Sequence, residues 1–154
     1  MGVNASRVRF QLDVADAVTL RDIADGAEAV TATEASVSLD ELRSAYWHDK
    51  EIPHGMIAVQ VHVTALEDGS DETYKLELLV DDVAAMNNNP VAVATLPITA
   101  TGMYTMMVDS KSIPGLDPDV DGTGKYLAIK ATLTASEGSP SITYGAWLAR
   151  SVHP

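Results

Sequence analysis

Residues 124–148 read GKYLAIKATLTASEGSPSITYGAWL, and their alternation decides the fold class. Across residues 125–134, Leu127, Ile129, Ala131 and Leu133 alternate with Tyr126, Ala128, Lys130, Thr132 and Thr134, giving one apolar side and one mostly polar side. Across residues 141–148, Ile142, Tyr144, Ala146 and Leu148 share a face, and Trp147 falls on the opposite one. Side chains of an extended chain project to alternate sides, so period two with β-branched and aromatic residues marks strands half buried on a core. The joint between the two runs, residues 135–140, is polar and carries Gly138 and Pro140, which predicts an antiparallel hairpin.

The same period recurs upstream. In residues 57–66, Ile57, Val59, Val61, Val63 and Ala65 alternate with Ala58, Gln60, His62, Thr64 and Leu66. A strand that long with a branched residue at nearly every other position belongs in the middle of a sheet. In residues 73–80, Tyr74, Leu76, Leu78 and Val80 face one way. Residues 91–98 and 102–108 predict a second pair, turned at Thr99-Ala100-Thr101-Gly102. This last run holds Met103, Met106 and Met107, and methionine both fills gaps in cores and adapts on contact surfaces.

Towards the N-terminus the pattern is weaker. Residues 16–38 are rich in Ala, Thr, Val and Glu, with Asp25-Gly26 as a turn, and the Thr and Val of residues 30–37 favour strands over helix. Ser38-Leu39-Asp40-Glu41-Leu42 opens like a capped helix, the single short helix predicted, and the polar connector 47–55 with Trp47 and His48 follows it. Residues 1–15 form an N-terminal arm or an edge strand, in which Arg7 and Arg9 alternate with Val8, Phe10 and Leu12. Residues 16–154 are then one domain. Short strands at regular spacing, turn-rich joints and almost no helix predict an all-β antiparallel sandwich.

Charge and composition narrow the partners. Ten Lys+Arg against 22 Asp+Glu give a formal charge of −12, which repels phosphate backbones and anionic lipid surfaces, so neither nucleic acid nor membrane is an expected partner. No apolar run approaches the ~20 residues of a membrane span, and the first residues lack a basic segment followed by an apolar one. There is no cysteine to form a disulfide.

Motifs for chemistry are sparse. Asp117-Pro118-Asp119-Val120-Asp121-Gly122 has the aspartate spacing of a calcium loop, but Ala128 stands at the twelfth position where a bidentate glutamate is needed, so it reads as a solvated acidic loop. His48 and His54 flank Asp49 and Glu51 without a third imidazole or a cysteine nearby. No GxSxG elbow, glycine-rich phosphate loop or HExxH is present. Neither an enzymatic activity nor a cofactor or metal is expected. An outward Trp147 invites a partner, sugar or protein.

Residues 71–82 (DETYKLELLVDD), 125–130 (KYLAIK) and 142–148 (ITYGAWL) together resemble the jelly-roll cement, or decoration, proteins of tailed-bacteriophage heads. The resemblance spans residues 56–148. It implies a jelly-roll-like sandwich on the outer surface of the virion capsid, bound to the major capsid protein and to itself as a homotrimer or homodimer. For such a role the expected contact residues are the least globular ones: Arg7, Arg9 and Phe10 in the arm, Trp47 and His48 in the connector, and Ile113 and Leu116 in the loop 113–122, with Trp147 on the sheet. The alternative function is a carbohydrate- or receptor-binding module that stacks a ligand on Trp147, Tyr144 or Trp47. Aromatic residues make up only 5% of the chain and are scattered, which favours the structural role.

Overall fold

The computed structural model describes residues 18–39, 56–67, 69, 71–109, 112–113 and 125–149. The chain runs through β1 (Val18–Arg21), a 3-10 turn (Ile23–Asp25), β2 (Ala27–Glu28), β3 (Ala32–Thr33), β4 (Val37–Ser38), β5 (Met56–Leu66), β6 (Thr73–Asp81), β7 (Val91–Ile98), β8 (Gly102–Asp109), β9 (Tyr126–Thr134) and β10 (Ile142–Ala149). Asp22 caps the 3-10 turn by accepting from the Ala24 N–H at 2.9 Å, and Gly26 leaves it at φ +87°, a conformation open to glycine.

Every strand pair is antiparallel. A front sheet has the order β1-β10-β5-β8, with β2 also on β10, and a back sheet has the order β3-β9-β6-β7, with β4 also on β9. Taking β1 with β2 and β3 with β4 as two interrupted strands leaves eight strands, shared equally between the sheets. The chain changes sheet at every connection but the one between β6 and β7, which is the double Greek key of a jelly roll. The all-β sandwich read from the sequence is the observed architecture.

The alternating apolar residues meet between the sheets. Val59, Val61, Val63, Ile142, Tyr144 and Leu148 of the front sheet lie buried with Leu76, Leu78, Leu127 and Ile129 of the back sheet in one cluster. Each such side chain contributes about 1.5–3 kcal/mol by leaving water. A smaller cluster of Leu79, Met86 and Ala128 lies apart from it, with Met86 held at φ +53° in the loop after β6. The Asp81 carboxylate orders that loop by accepting from the Asn88 N–H at 2.9 Å and the Asp82 N–H at 2.7 Å.

Three expectations are corrected. β9 and β10 are not a hairpin: β9 pairs with β6 and β10 with β5, in different sheets. Their apolar faces look at each other across the core, and residues 135–141 arch between the layers. The Asp71 carboxylate holds this arch by accepting from the Ser136 N–H, the Ser136 hydroxyl and the Glu137 N–H, each at 2.7 Å. Likewise β7 and β8 belong to opposite sheets, joined by an arch in which the Tyr104 hydroxyl donates to the Ala100 carbonyl at 2.7 Å. Ala65 is exposed, because the pairing skips Thr64 between Val63↔Tyr144 and Ala65↔Thr143; this bulge reverses the phase and turns Leu66 to the core instead.

Candidate functional site

The outer face of the front sheet is the candidate interaction surface. It is built by the residues that alternate with the core positions of β10, β5 and β8. Trp147 stands between Gln60 and Thr19 in register, Gln60 is level with Thr105, His62 with Met103 and Gly145, and Ala58 with Met107. The Thr105 hydroxyl donates to the Gln60 Oε1 at 3.0 Å, fixing the one amide in the middle of the face. Met103 and Met107 are 56% and 51% exposed, large for apolar side chains on a folded surface. Gly145 is small for a reason: a Cβ there would come within 3.3 Å of Ile23 on the 3-10 turn, which lies over this end of the sheet.

What sets this face apart is its lack of charge. Charged residues make up 21% of the chain, yet residues 57–66, 102–108 and 142–148 contain no Asp, Glu, Lys or Arg. The back sheet differs. There Lys75 pairs with Glu77 at 3.1 Å, Thr132 donates to the same Glu77 carboxylate at 3.3 Å, and Lys130 is level with Glu77. Among the described residues the buried Trp147 indole N–H has no hydrogen-bond partner, a cost of about 1–3 kcal/mol that stability alone does not favour.

A second polar centre lies at the β1 edge, between the sheets. Arg21, almost wholly buried, donates from Nε to the Tyr144 carbonyl at 3.1 Å, from Nη2 to the Gly26 carbonyl at 2.8 Å, and from Nη1 to Glu28 at 2.8 Å and to Glu34. Its guanidinium lies 4.7 Å from the centre of the Tyr144 ring. Burial pulls the Arg21 pKa down, but Glu34, then Tyr144 and Glu28, outweigh it and raise the net value. Burial, then the Glu34 charge, pushes the Tyr144 phenol up. A cation held charged beside a phenol held neutral makes a clip that ties β1 to β10 and to the segment after β3.

The residues singled out from the sequence are not brought together. Trp147 is on the outer face of the front sheet, on the opposite side from Tyr144, which is fully buried and cannot stack a ligand. Ile113 is 4% exposed and packs in the main core, so its side chain is no surface contact. Arg7, Arg9, Phe10, Trp47, His48 and Leu116, with the helix from Ser38 past Leu39 and the Asp117–Gly122 loop, lie outside the described residues. Among the described residues no group of three or more His, Asp or Glu could hold a metal ion, and no helix is long and apolar enough to cross a membrane. Sequence reasoning missed the neutral strip, although it was legible as three uncharged runs in an acidic chain. It also missed Arg21, which the strand's alternation does not place inward.

Fold and surface together define a jelly-roll sandwich with one neutral and one charged face. No protein-family model, curated protein or solved structure matches the chain.

Proposed function

We propose that this chain is a cement protein of a tailed-phage head: it binds the outside of the capsid, bridges neighbouring copies of the major capsid protein and stabilises the shell. The observation that carries the reading is the two-faced sandwich. The neutral front sheet, with Trp147 and the two exposed methionines, suits a protein surface that must be desolvated on docking, because burying apolar and uncharged polar groups costs far less than burying charges. The charge on the rest of the chain keeps it soluble before assembly and gives it no attraction for packaged DNA. The jelly-roll strand order agrees with the resemblance in residues 71–82, 125–130 and 142–148. A small protein that binds only assembled subunits stabilises the shell by mass action, and many weak contacts around a local axis add together.

The alternative is a carbohydrate- or receptor-binding module centred on Trp147. A sugar platform draws on several aromatics of one surface, and among the described residues Trp147 is alone on its face, with Tyr104 and Tyr144 turned to the core.

Quantitative mass spectrometry of purified particles from the source tests the proposal. A copy number equal to the shell protein, or a simple fraction of it, is the expected result. Absence from the particles overturns it, and a thermal-shift screen with sugars then tests the alternative.

A further inference from the structure

The four sheet edges are not equally protected. At the β1 edge the strands are short, and the 3-10 turn with Asp22 and Asp25 interrupts them. On the back sheet, β3 and β4 have two residues each. β7 carries Pro97, and its pairing with β6 breaks register between Leu78 and Leu79. Short strands, charges, prolines and bulges are the devices that stop an edge from recruiting another strand. β8 has none of them over residues 102–108: it is eight residues long, pairs regularly with β5 from Met56↔Asp109 to Val63↔Gly102, and has no other strand beside it among the described residues.

We propose that β8 is a self-association edge, where a second copy of this chain adds its own β8 antiparallel across a two-fold axis at Thr105, joining two front sheets into one continuous sheet. Self-complementarity selects the occupant, and charge limits where it can sit: two chains of −12 repel each other, and they approach most cheaply along residues 102–108, the uncharged part of β8 before Asp109. The strand is self-complementary. With Thr105 facing Thr105 of the second copy, Met103 of each copy lies opposite Met107 of the other, so both exposed methionines are covered in cross-strand pairs on the outer face. The pairing also doubles the neutral face. This deepens the self-association included in the capsid reading and rests on it only there, because the edge is tested on the isolated chain.

The test is sedimentation velocity of the purified chain over a concentration series, beside two variants. Wild type is expected at twice 16.3 kDa. Thr105→Lys puts two like charges on the axis and is expected to sediment at 16.3 kDa with the far-UV circular dichroism of wild type, its melting temperature lowered by the lost dimer contacts and the lost hydrogen bond to Gln60. Thr105→Cys, the sole thiol in a chain without cysteine, is expected to oxidise to a disulfide-linked dimer, because directly opposed Cα atoms roughly 4.5–5.5 Å apart suit a disulfide. Wild type that stays monomeric at all concentrations, or forms a trimer, overturns the proposal. A dimer that survives Thr105→Lys while Thr105→Cys fails to cross-link also overturns it. Absence of the chain from phage particles, by contrast, removes the capsid reading and leaves the dimer standing.

Discussion

Arg21 brings one positive charge to two carboxylates, and the balance depends on it. Replacing it by Met keeps the apolar stem but leaves Glu28 and Glu34 facing each other without a cation, and the Tyr144 and Gly26 carbonyls without their donor. Breaking such a pair from one side costs about 3–5 kcal/mol when fully buried, and the partly exposed glutamates put Arg21→Met near the lower end of that range. Glu34→Gln is expected to cost less, because Glu28 still holds the guanidinium; urea unfolding of both variants checks the order. Asp71 is one contributor to the acid limb of stability. Donation from the Ser136 hydroxyl, then from the Glu137 and Ser136 N–H groups, holds its carboxyl below the ordinary value. A carboxyl depressed in the folded state stabilises the fold above its unfolded pKa of about 3.9, and the contribution fades as pH falls through the folded value. Asp71→Asn is therefore expected to lower the melting temperature at neutral pH, and the gap to wild type to close below that pH. A gap that persists into strong acid would show that Asp71 acts without its charge.

At the scale of elements, the arches carry the topology. Gly102 opens β8 at φ +143°, with nothing within 4 Å of where a Cβ would stand. Gly102→Ala thus has room for its methyl but an unfavourable backbone, and is expected to lose about 1–3 kcal/mol in denaturant unfolding, from strain alone. The arches are also where sequence reading stopped. Alternation in residues 125–134 and 142–148 identified every main-core position of β9 and β10, because a half-buried strand must show its face, but not the burial of Ala128 and Gly145 on the opposite faces. It said nothing about which strand lies beside which, since two strands facing each other across a core have the same pattern as two strands paired in a hairpin. Bulges hid the rest: one at Thr64 exposed Ala65, and one between Thr19 and Arg21 turned Arg21 inward just after buried Leu20. Ile113 was read as loop from its proline and glycine neighbours, and its burial depends on contacts remote in sequence. The candidate surface was half legible. Trp147 showed through its parity, while its neighbours on β5 and β8 needed the strand order.

For the whole molecule, the division into neutral and charged faces predicts where a capsid would touch it. His62 sits in the neutral face between Met103 and Gly145, and Thr33 is on β3 of the back sheet, level with Lys130. His62→Glu and Thr33→Glu each add one carboxylate, so they change total charge equally and differ only in location. On the back sheet the new carboxylate meets the Lys130 ammonium and remains in water, where such a pair is worth about 0–1 kcal/mol. On the front sheet it has no cation beside it among the described residues and must be stripped of water when the face docks, which costs several kcal/mol. With tenfold in affinity for each 1.4 kcal/mol, His62→Glu is expected to reduce occupancy of heads lacking the wild-type chain by at least ~10-fold at subsaturating concentration, and Thr33→Glu to leave it unchanged. Co-sedimentation of each purified variant with such heads gives the two occupancies. Equal losses would assign the effect to net charge and not to the front sheet, and a loss confined to Thr33→Glu would move the docking surface to the opposite side of the sandwich.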